Sequence, residues 1–346
     1  MQNRRKAILF VSLHATLLAA LMALAATMGF LSVSVSDVLQ IVTGKVFRLP
    51  FVDIDPVAIS VVADVRLPRI AGAVLVGGIL GVSGAVFQAI LLNPLADSYT
   101  LGISTGAAFG ASLVIVMQLF GLVLPPAISI PLFAFLGGIG TLILVLYLAS
   151  GDRRLSSTSL ILAGVIVSAI LSAAIGFLKF LADEQVGIII FWLMGSLSGI
   201  SWQNVLLLMP AACIGSILAF FFSRDLNIMA TGERAASALG VNTVRLRLIL
   251  LAGCTFMTAL AVSVAGIIGF VGLIVPHLLR HLAGPDNRLL IPLSFFAGGI
   301  LLLIADTITR AVLPAEVPIG VLTALLGGPF FCILFKRRQQ DGKSGF

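Results

Sequence analysis

Arg66-Leu67-Pro68-Arg69, with the apolar run from Ile70 to Leu92 behind it, decides how the rest of the chain is read. Two arginines flank a proline at the mouth of a segment long enough to cross a bilayer, which takes about 20 apolar residues as a helix. The segment carries Gly72, Gly77, Gly78, Gly81 and Gly84, and small residues let helix backbones approach closely in lipid. It closes on Asn93-Pro94-Leu95-Ala96-Asp97, and a second ladder, Gly102, Gly106 and Gly110, follows at once. The pattern predicts a helix hairpin with a packing face on each arm.

The rest of the chain has the same character. Of its 346 residues 60% are hydrophobic and 10% charged, and the mean hydropathy is +1.18. A soluble domain carries about 25% charged residues, so the sequence describes an all-α integral membrane protein, a single transmembrane domain over 1–346. The net charge of +7 does not point to nucleic acid, because the basic residues sit in short clusters between apolar runs. Cys213, Cys254 and Cys332 lie inside apolar segments without ligand spacing, which implies neither a metal site nor a disulfide framework. Arg4-Arg5-Lys6 precedes an apolar run, Ala7 to Phe30, longer than the roughly 7 to 15 residues of a secretory leader. It is read as the first crossing.

On the bilayer ruler ten crossings are expected, near 7–30, 69–92, 100–120, 127–149, 157–178, 204–222, 245–265, 267–281, 290–309 and 318–335, a bundle over 7–335. The glycine-rich stretch from Ser263 to Gly272 marks a broken or short helix. With both termini cytoplasmic, 15 of the 21 Lys and Arg residues fall inside, and Lys45, Arg48, Arg66, Arg69, Lys179 and Arg310 outside. That split follows the positive-inside bias.

The connections divide by side. Outside, segment 31–65 contains an amphipathic piece around Val38 to Val42 that suits a short interfacial helix, and Phe191, Trp192 and Trp202 suit the membrane interface. Inside, the loop 223–247 contains Gly232, Glu233, Arg234, Ala235, Ala236, Leu239 and Gly240, and a tail runs over 336–346. Glu233 favours a helix start, the alanines favour helix and Gly240 is placed to end it. Asp306 and Arg310 stand four apart on one helical face and are expected to pair within the membrane.

A transporter needs an energy source, and each can be searched for. Gly342-Lys343-Ser344 lacks the upstream glycine of a phosphate-cradling loop, so no ATP-binding motif is present. An ion-driven carrier buries ionisable groups near mid-membrane. Here Asp306 lies near the outer edge and His14 and His277 near the predicted inner face, and His277 and His281 read as helix-end residues bonded to backbone. The energy is therefore expected from a partner.

With these residues in view the chain resembles the FecCD family of ABC importer permeases. The resemblance rests on Arg66 to Arg69, Gly84 to Gln88, Asn93 to Asp97, Leu101 to Ala107, Gly232 to Gly240, Gly266 to His277, Ala305-Asp306 and Glu316 to Gly320. It implies a type II importer bundle of ten helices in the bacterial inner membrane. It also implies partners: a second permease subunit, two cytoplasmic ATPases that use ATP and Mg, and an extracytoplasmic substrate-binding protein. The cargo class it implies is ferric siderophore, haem or cobalamin, with oxyanions more distant.

The resemblance further assigns roles. Arg66, Arg69 and Arg310 match arginines that dock the binding protein. Gly232 to Gly240 matches the helix that couples to the ATPase, with Ala235, Ala236 and Leu239 as its packing face and Glu233 and Arg234 as polar contacts. Ala163, Gly164, Ser168, Ser172 and Gly176 fall on the helix that lines the pathway in relatives. Ser98 stands where relatives usually have proline, a departure expected to loosen the turn. A stand-alone secondary carrier and a non-transporting scaffold are the rival readings, and uptake by vesicles separates them.

Overall fold

The computed structural model describes residues 2–48, 54–152, 154–313 and 316–341. Residues 49–53 of the segment 31–65, Arg153, Pro314 and the Gly342-Lys343-Ser344 end of the tail lie outside them. The described chain is helical throughout, in fifteen α-helices. In order they are α1 (Gln2–Thr27), α2 (Val35–Phe47), α3 (Pro56–Ser60), α4 (Leu67–Ile90), α5 (Ile103–Leu119), α6 (Pro126–Ala149), α7 (Ser157–Ala182) and α8 (Val186–Leu193). Then come α9 (Trp202–Phe221), α10 (Ser223–Met229), α11 (Glu233–Ala238), α12 (Thr243–Ala265), α13 (Val271–Ala283), α14 (Asn287–Ala311) and α15 (Ile319–Asp341). Seven helical runs are long and apolar enough to span a bilayer, and α5, α13 and the first part of α15 are shorter apolar helices at the remaining expected positions.

Two boundaries differ from the sequence expectation. The second run begins at Pro56, not near 69, because Asp55 caps it through the Val57 amide and Pro56 takes the first position. A π-helical turn, Val61–Arg66, joins α3 to α4 without a break. Pro68 has no N–H to give the preceding turn, and a wider π turn occupies that place. At the other end of the chain α15 runs on through Pro329 to Asp341, so the helix extends into what the sequence marks as tail.

The glycine ladders make the closest approaches, but not to each other. A Cβ on Gly77 would collide with the Gly298 carbonyl, on Gly81 with that of Ser294, and on Gly84 with that of Gly272. A Cβ on Gly106 would collide with Thr141 and Gly137, and on Gly110 with the Phe133 carbonyl. So α4 packs chiefly on α14 and α5 chiefly on α6; the two arms of the predicted hairpin go to different neighbours. The core is built around α4, whose Ile70, Ile79, Phe87 and Ile90 are fully enclosed.

The turn between those arms is tightly held. Asp97 accepts from the Tyr99 and Thr100 amides and the Thr100 hydroxyl at 3.0 Å each. Ser98, expected to loosen the turn, fastens it: its hydroxyl meets that of Ser104 at 2.8 Å, and its carbonyl accepts from Ile103 at 2.9 Å. The predicted break also appears, as α12 ends at Ala265 and α13 starts at Val271. In α2, Val38 and Ile41 are buried while Leu39 faces out, the amphipathic helix expected there.

Candidate functional site

Three places on the bundle combine polar chemistry with access: the end where α1, α4 and α14 meet, the end carrying α11, and a concavity between them.

At the first end Arg66, Arg69 and Arg310 come together, but not as exposed docking groups. Their relative exposures are 3%, 6% and 5%. The last carbonyls of a helix have no partner in the helix itself, and α1 ends here. Arg66 donates to the Ala26 carbonyl at 3.0 Å, and also to Leu31. Arg310 donates to Ala25 and Met28 at 2.8 Å each. Positive charge at a helix C-terminus is favourable as well. The expected Asp306–Arg310 pair is correspondingly loose, with Arg310 Nε 3.9 Å from the carboxylate. Asp306 belongs instead to Arg69, whose Nε donates at 2.9 Å, while Arg69 Nη1 reaches Glu316 at 3.1 Å. Three arginines against two acids leave one positive charge in excess, and Glu316, 41% exposed, is the member that reaches solvent.

At the opposite end α11 stands out from the bundle. Gly232 caps its start at φ +106° and Gly240 ends it at φ +90°, left-handed conformations that suit glycine. Ala236, expected on a partner-facing side, is fully buried, because its side chain packs down while Arg234, Ala235, Ala238 and Leu239 face out. Glu233 turns inward too, onto Arg247. Open grooves of about 680 Å³ and 570 Å³ flank the helix. Asp152 and Arg154 border the first, Asn242 and Val244 the second. The Asp152 carboxylate is held well below its usual range by hydrogen bonds from Ser156, then from the Arg154 amide and the Ser159 hydroxyl.

Arg247 is the residue that the sequence reading counts only as one inner charge. It is fully buried. The available signal was its place: it follows Arg245 by two on one helix, so the two cannot share a face.

The concavity holds about 830 Å³ and opens between the 91–102 turn, the end of α8, the α12–α13 break and α15. Leu193, Met194, Ile267, Phe270, Val321 and Leu325 give it an apolar wall, with Asp97 and Tyr99 at its edge. Burial pushes the Asp97 carboxyl up, against its bonds from Thr100 and Tyr99. The pathway residues expected on α7 do not line it. Ala163 is buried, Gly164 lies against Thr100 and Leu101, Ser168 lies against Gly102, and Ser172 and Gly176 face outward. Trp202, expected only as an interface anchor, donates its indole N–H to the Ala63 carbonyl at 2.9 Å in the π turn.

Known proteins resemble this chain in sequence and in fold. The hemin transport system permease protein HmuU of Yersinia pestis is 40% identical over 82% of this chain and 84% of its own. The cobalamin import system permease protein BtuC of Halobacterium salinarum is 39% identical over 81% of this chain and 74% of its own. A solved inward-facing structure of a transporter assigned to the metal-chelate ABC type superposes with a TM-score of 0.81, at 33% identity, over 94% of this chain and 98% of that one. The model of the FecCD transport family matches residues 17–337. With the family's pattern running nearly end to end, this chain belongs to the FecCD transport family and is an ABC importer permease.

Proposed function

We propose that this permease carries an iron chelate, a ferric siderophore or haem, across the bacterial inner membrane by alternating access, with the α11 end in the cytoplasm. The observation that carries the proposal is the open apolar concavity of about 830 Å³ between the two polar ends. Its size and its Leu, Ile and Phe walls suit a bulky chelate taken whole, held by shape and apolar contact. The hemin permease among its relatives supports that class.

The energy comes from two ATPase subunits that use ATP and Mg. They meet α11 through Ala235, Ala238 and Leu239, in the grooves bounded by Arg234. A second permease copy or close paralogue covers the outward apolar face of α7, where Ser172 and Gly176 keep the contact close. The binding protein docks on the opposite end, where the excess positive charge of Arg66, Arg69 and Arg310 acts from beneath the surface and Glu316 marks the exposed rim. ATP binding closes the ATPases, α11 moves with them, and the access to the concavity changes side.

The experiment is uptake in proteoliposomes holding the permease, its ATPase and its binding protein. Ferric siderophore, haem and cobalamin are offered in turn, with and without ATP. ATP-dependent accumulation of an iron chelate is expected. Accumulation of cobalamin alone would move the cargo to the class of the Halobacterium relative, and accumulation driven by an ion gradient without the ATPase would end the proposal.

A further inference from the structure

Among the described residues Arg247 makes a set of contacts unlike any other. A guanidinium has five N–H donors in a rigid fork, and here each finds an acceptor. Nε donates to the Ile90 carbonyl at 3.1 Å, at the last residue of α4. Nη1 donates to the carbonyls of Arg154 at 3.3 Å and Leu155 at 3.1 Å, in the turn that leads into α7. Nη2 donates to the Ser157 hydroxyl at 3.0 Å, at the first residue of α7, and to the Glu233 carboxylate at the first residue of α11.

These acceptors belong to four separate pieces of structure, and Arg247 itself adds α12 as a fifth. Glu233 is a quarter exposed while Arg247 is wholly enclosed. One partner thus sits where a protein bound at α11 can press on it, and the other sits among the helix ends of the bundle. The contact between α11 and α12 is otherwise slight, since α11 has six residues and buries only Ala236.

We infer that Arg247 is a positioning residue for transport: through Glu233 it ties α11 to the start of α7 and the end of α4, so that a displacement of α11 is passed to those helices. This rests on the reading of α11 as the ATPase contact. A short helix joined to the bundle by flexible turns would otherwise absorb the motion locally. An ion pair desolvated on one side, with every remaining donor satisfied, resists that.

The test uses the assembled complex of permease, ATPase and binding protein in proteoliposomes, and reads substrate moved per ATP hydrolysed. Arg247→Lys keeps the charge and removes the fork; Glu233→Gln keeps an acceptor and removes the charge. A merely structural role lowers transport and hydrolysis together and leaves their ratio unchanged. The inference expects the ratio to fall at least tenfold in Arg247→Lys and to be partly retained in Glu233→Gln.

Two measurements keep the outcome readable. A Leu239→Cys cross-link to the ATPase reports whether α11 touches it. Spin labels at Ser237→Cys and Leu162→Cys, with the exposed Cys213 and Cys332 replaced by alanine, report the α11–α7 distance, expected to hold on ATP binding in the parent and to change in Arg247→Lys. An unchanged ratio with the cross-link present overturns the role of Arg247 and leaves the proposed function standing. Absence of the cross-link in the parent overturns both.

Discussion

Helices α4 and α7 are almost equally apolar and have opposite surroundings. The run containing α4 has a hydropathy of 2.2 and is 94% buried over its most apolar stretch; the run containing α7 has 2.5 and is 28% buried. Hydropathy therefore tells which segments leave water, and says nothing of whether protein or something else replaces it. Small residues decide that. On α4 Gly77, Gly81 and Gly84 face backbone carbonyls of α14 and α13, whereas of the two glycines on α7 Gly164 meets the Thr100 carbonyl and Gly176 has open space where a Cβ would stand. One helix is the axle of the subunit and the other offers its surface to what lies outside it.

The sharpest way to break this contrast is to enlarge both helices. Gly77→Val or Gly84→Val forces a side chain into a carbonyl of a neighbouring helix, and backbone cannot yield as a flexible side chain can. Neither variant is expected to give a monodisperse peak in detergent. Gly176→Val at the α7 surface is expected to leave the subunit folded and monodisperse in detergent while loosening its contact with the second copy; if the subunit itself aggregates, the distinction between the helices fails.

A second break removes the acid beside α4. Asp306→Asn leaves the enclosed Arg69 without its buried carboxylate, with only the rim acid Glu316 remaining, and breaking one side of a buried pair costs about 3 to 5 kcal/mol. Thermal unfolding in detergent should show a large fall in midpoint. The variant Glu316→Gln, at the exposed rim, should change it by about 1 kcal/mol or less.

Third comes the α11 surface, which should behave like α7 in stability but not in function. Leu239→Glu and Ala235→Glu place charge on exposed positions, where substitutions usually change stability by about 0.5 kcal/mol or less. The expected result is loss of ATPase on co-purification with the midpoint unchanged. A retained ATPase would place its contact elsewhere.

The smallest effect concerns the turn into α7. Because the Asp152 carboxylate is depressed in the fold, its contribution is present above the unfolded carboxylate value of about 4 and is lost as pH falls through the lower folded value. The protection of the Arg154 and Ser156 amides, both bonded to this carboxylate, relative to their intrinsic exchange rates should fall on acidification through that range while that of α4 amides holds.

How far the sequence could be read follows from the same physics. Apolar helices, the α12–α13 break, the α2 amphipathic helix and the Gly232–Gly240 limits of α11 are local patterns, and each appears at or near its pattern, with seven of the helical runs among the described residues long enough to span a bilayer. Partnership is not local. The Gly72 to Gly84 ladder announced close packing without saying that Ile200 would meet Gly72 and that α14 and α13 would meet the rest. Arg66, Arg69 and Arg310 were visible as charges on one side, but their burial depends on where α1 ends. Ala236 looked like its neighbour Ala235, and only the tilt of α11 on the bundle separates the buried one from the exposed one. Arg247 was legible as a charge and illegible as a junction, because its acceptors are mostly backbone carbonyls, which every residue has.

The capping of α1 by Arg66 and Arg310 carries a consequence for biogenesis. During synthesis the first helix enters the membrane with its final carbonyls open, and they stay so until α4 and then α14 have emerged. A helix made before α4 and α14 is thus capped only after both. Chains stopped before residue 300 should leave that helix end exposed to the quality-control proteases that survey incomplete membrane proteins.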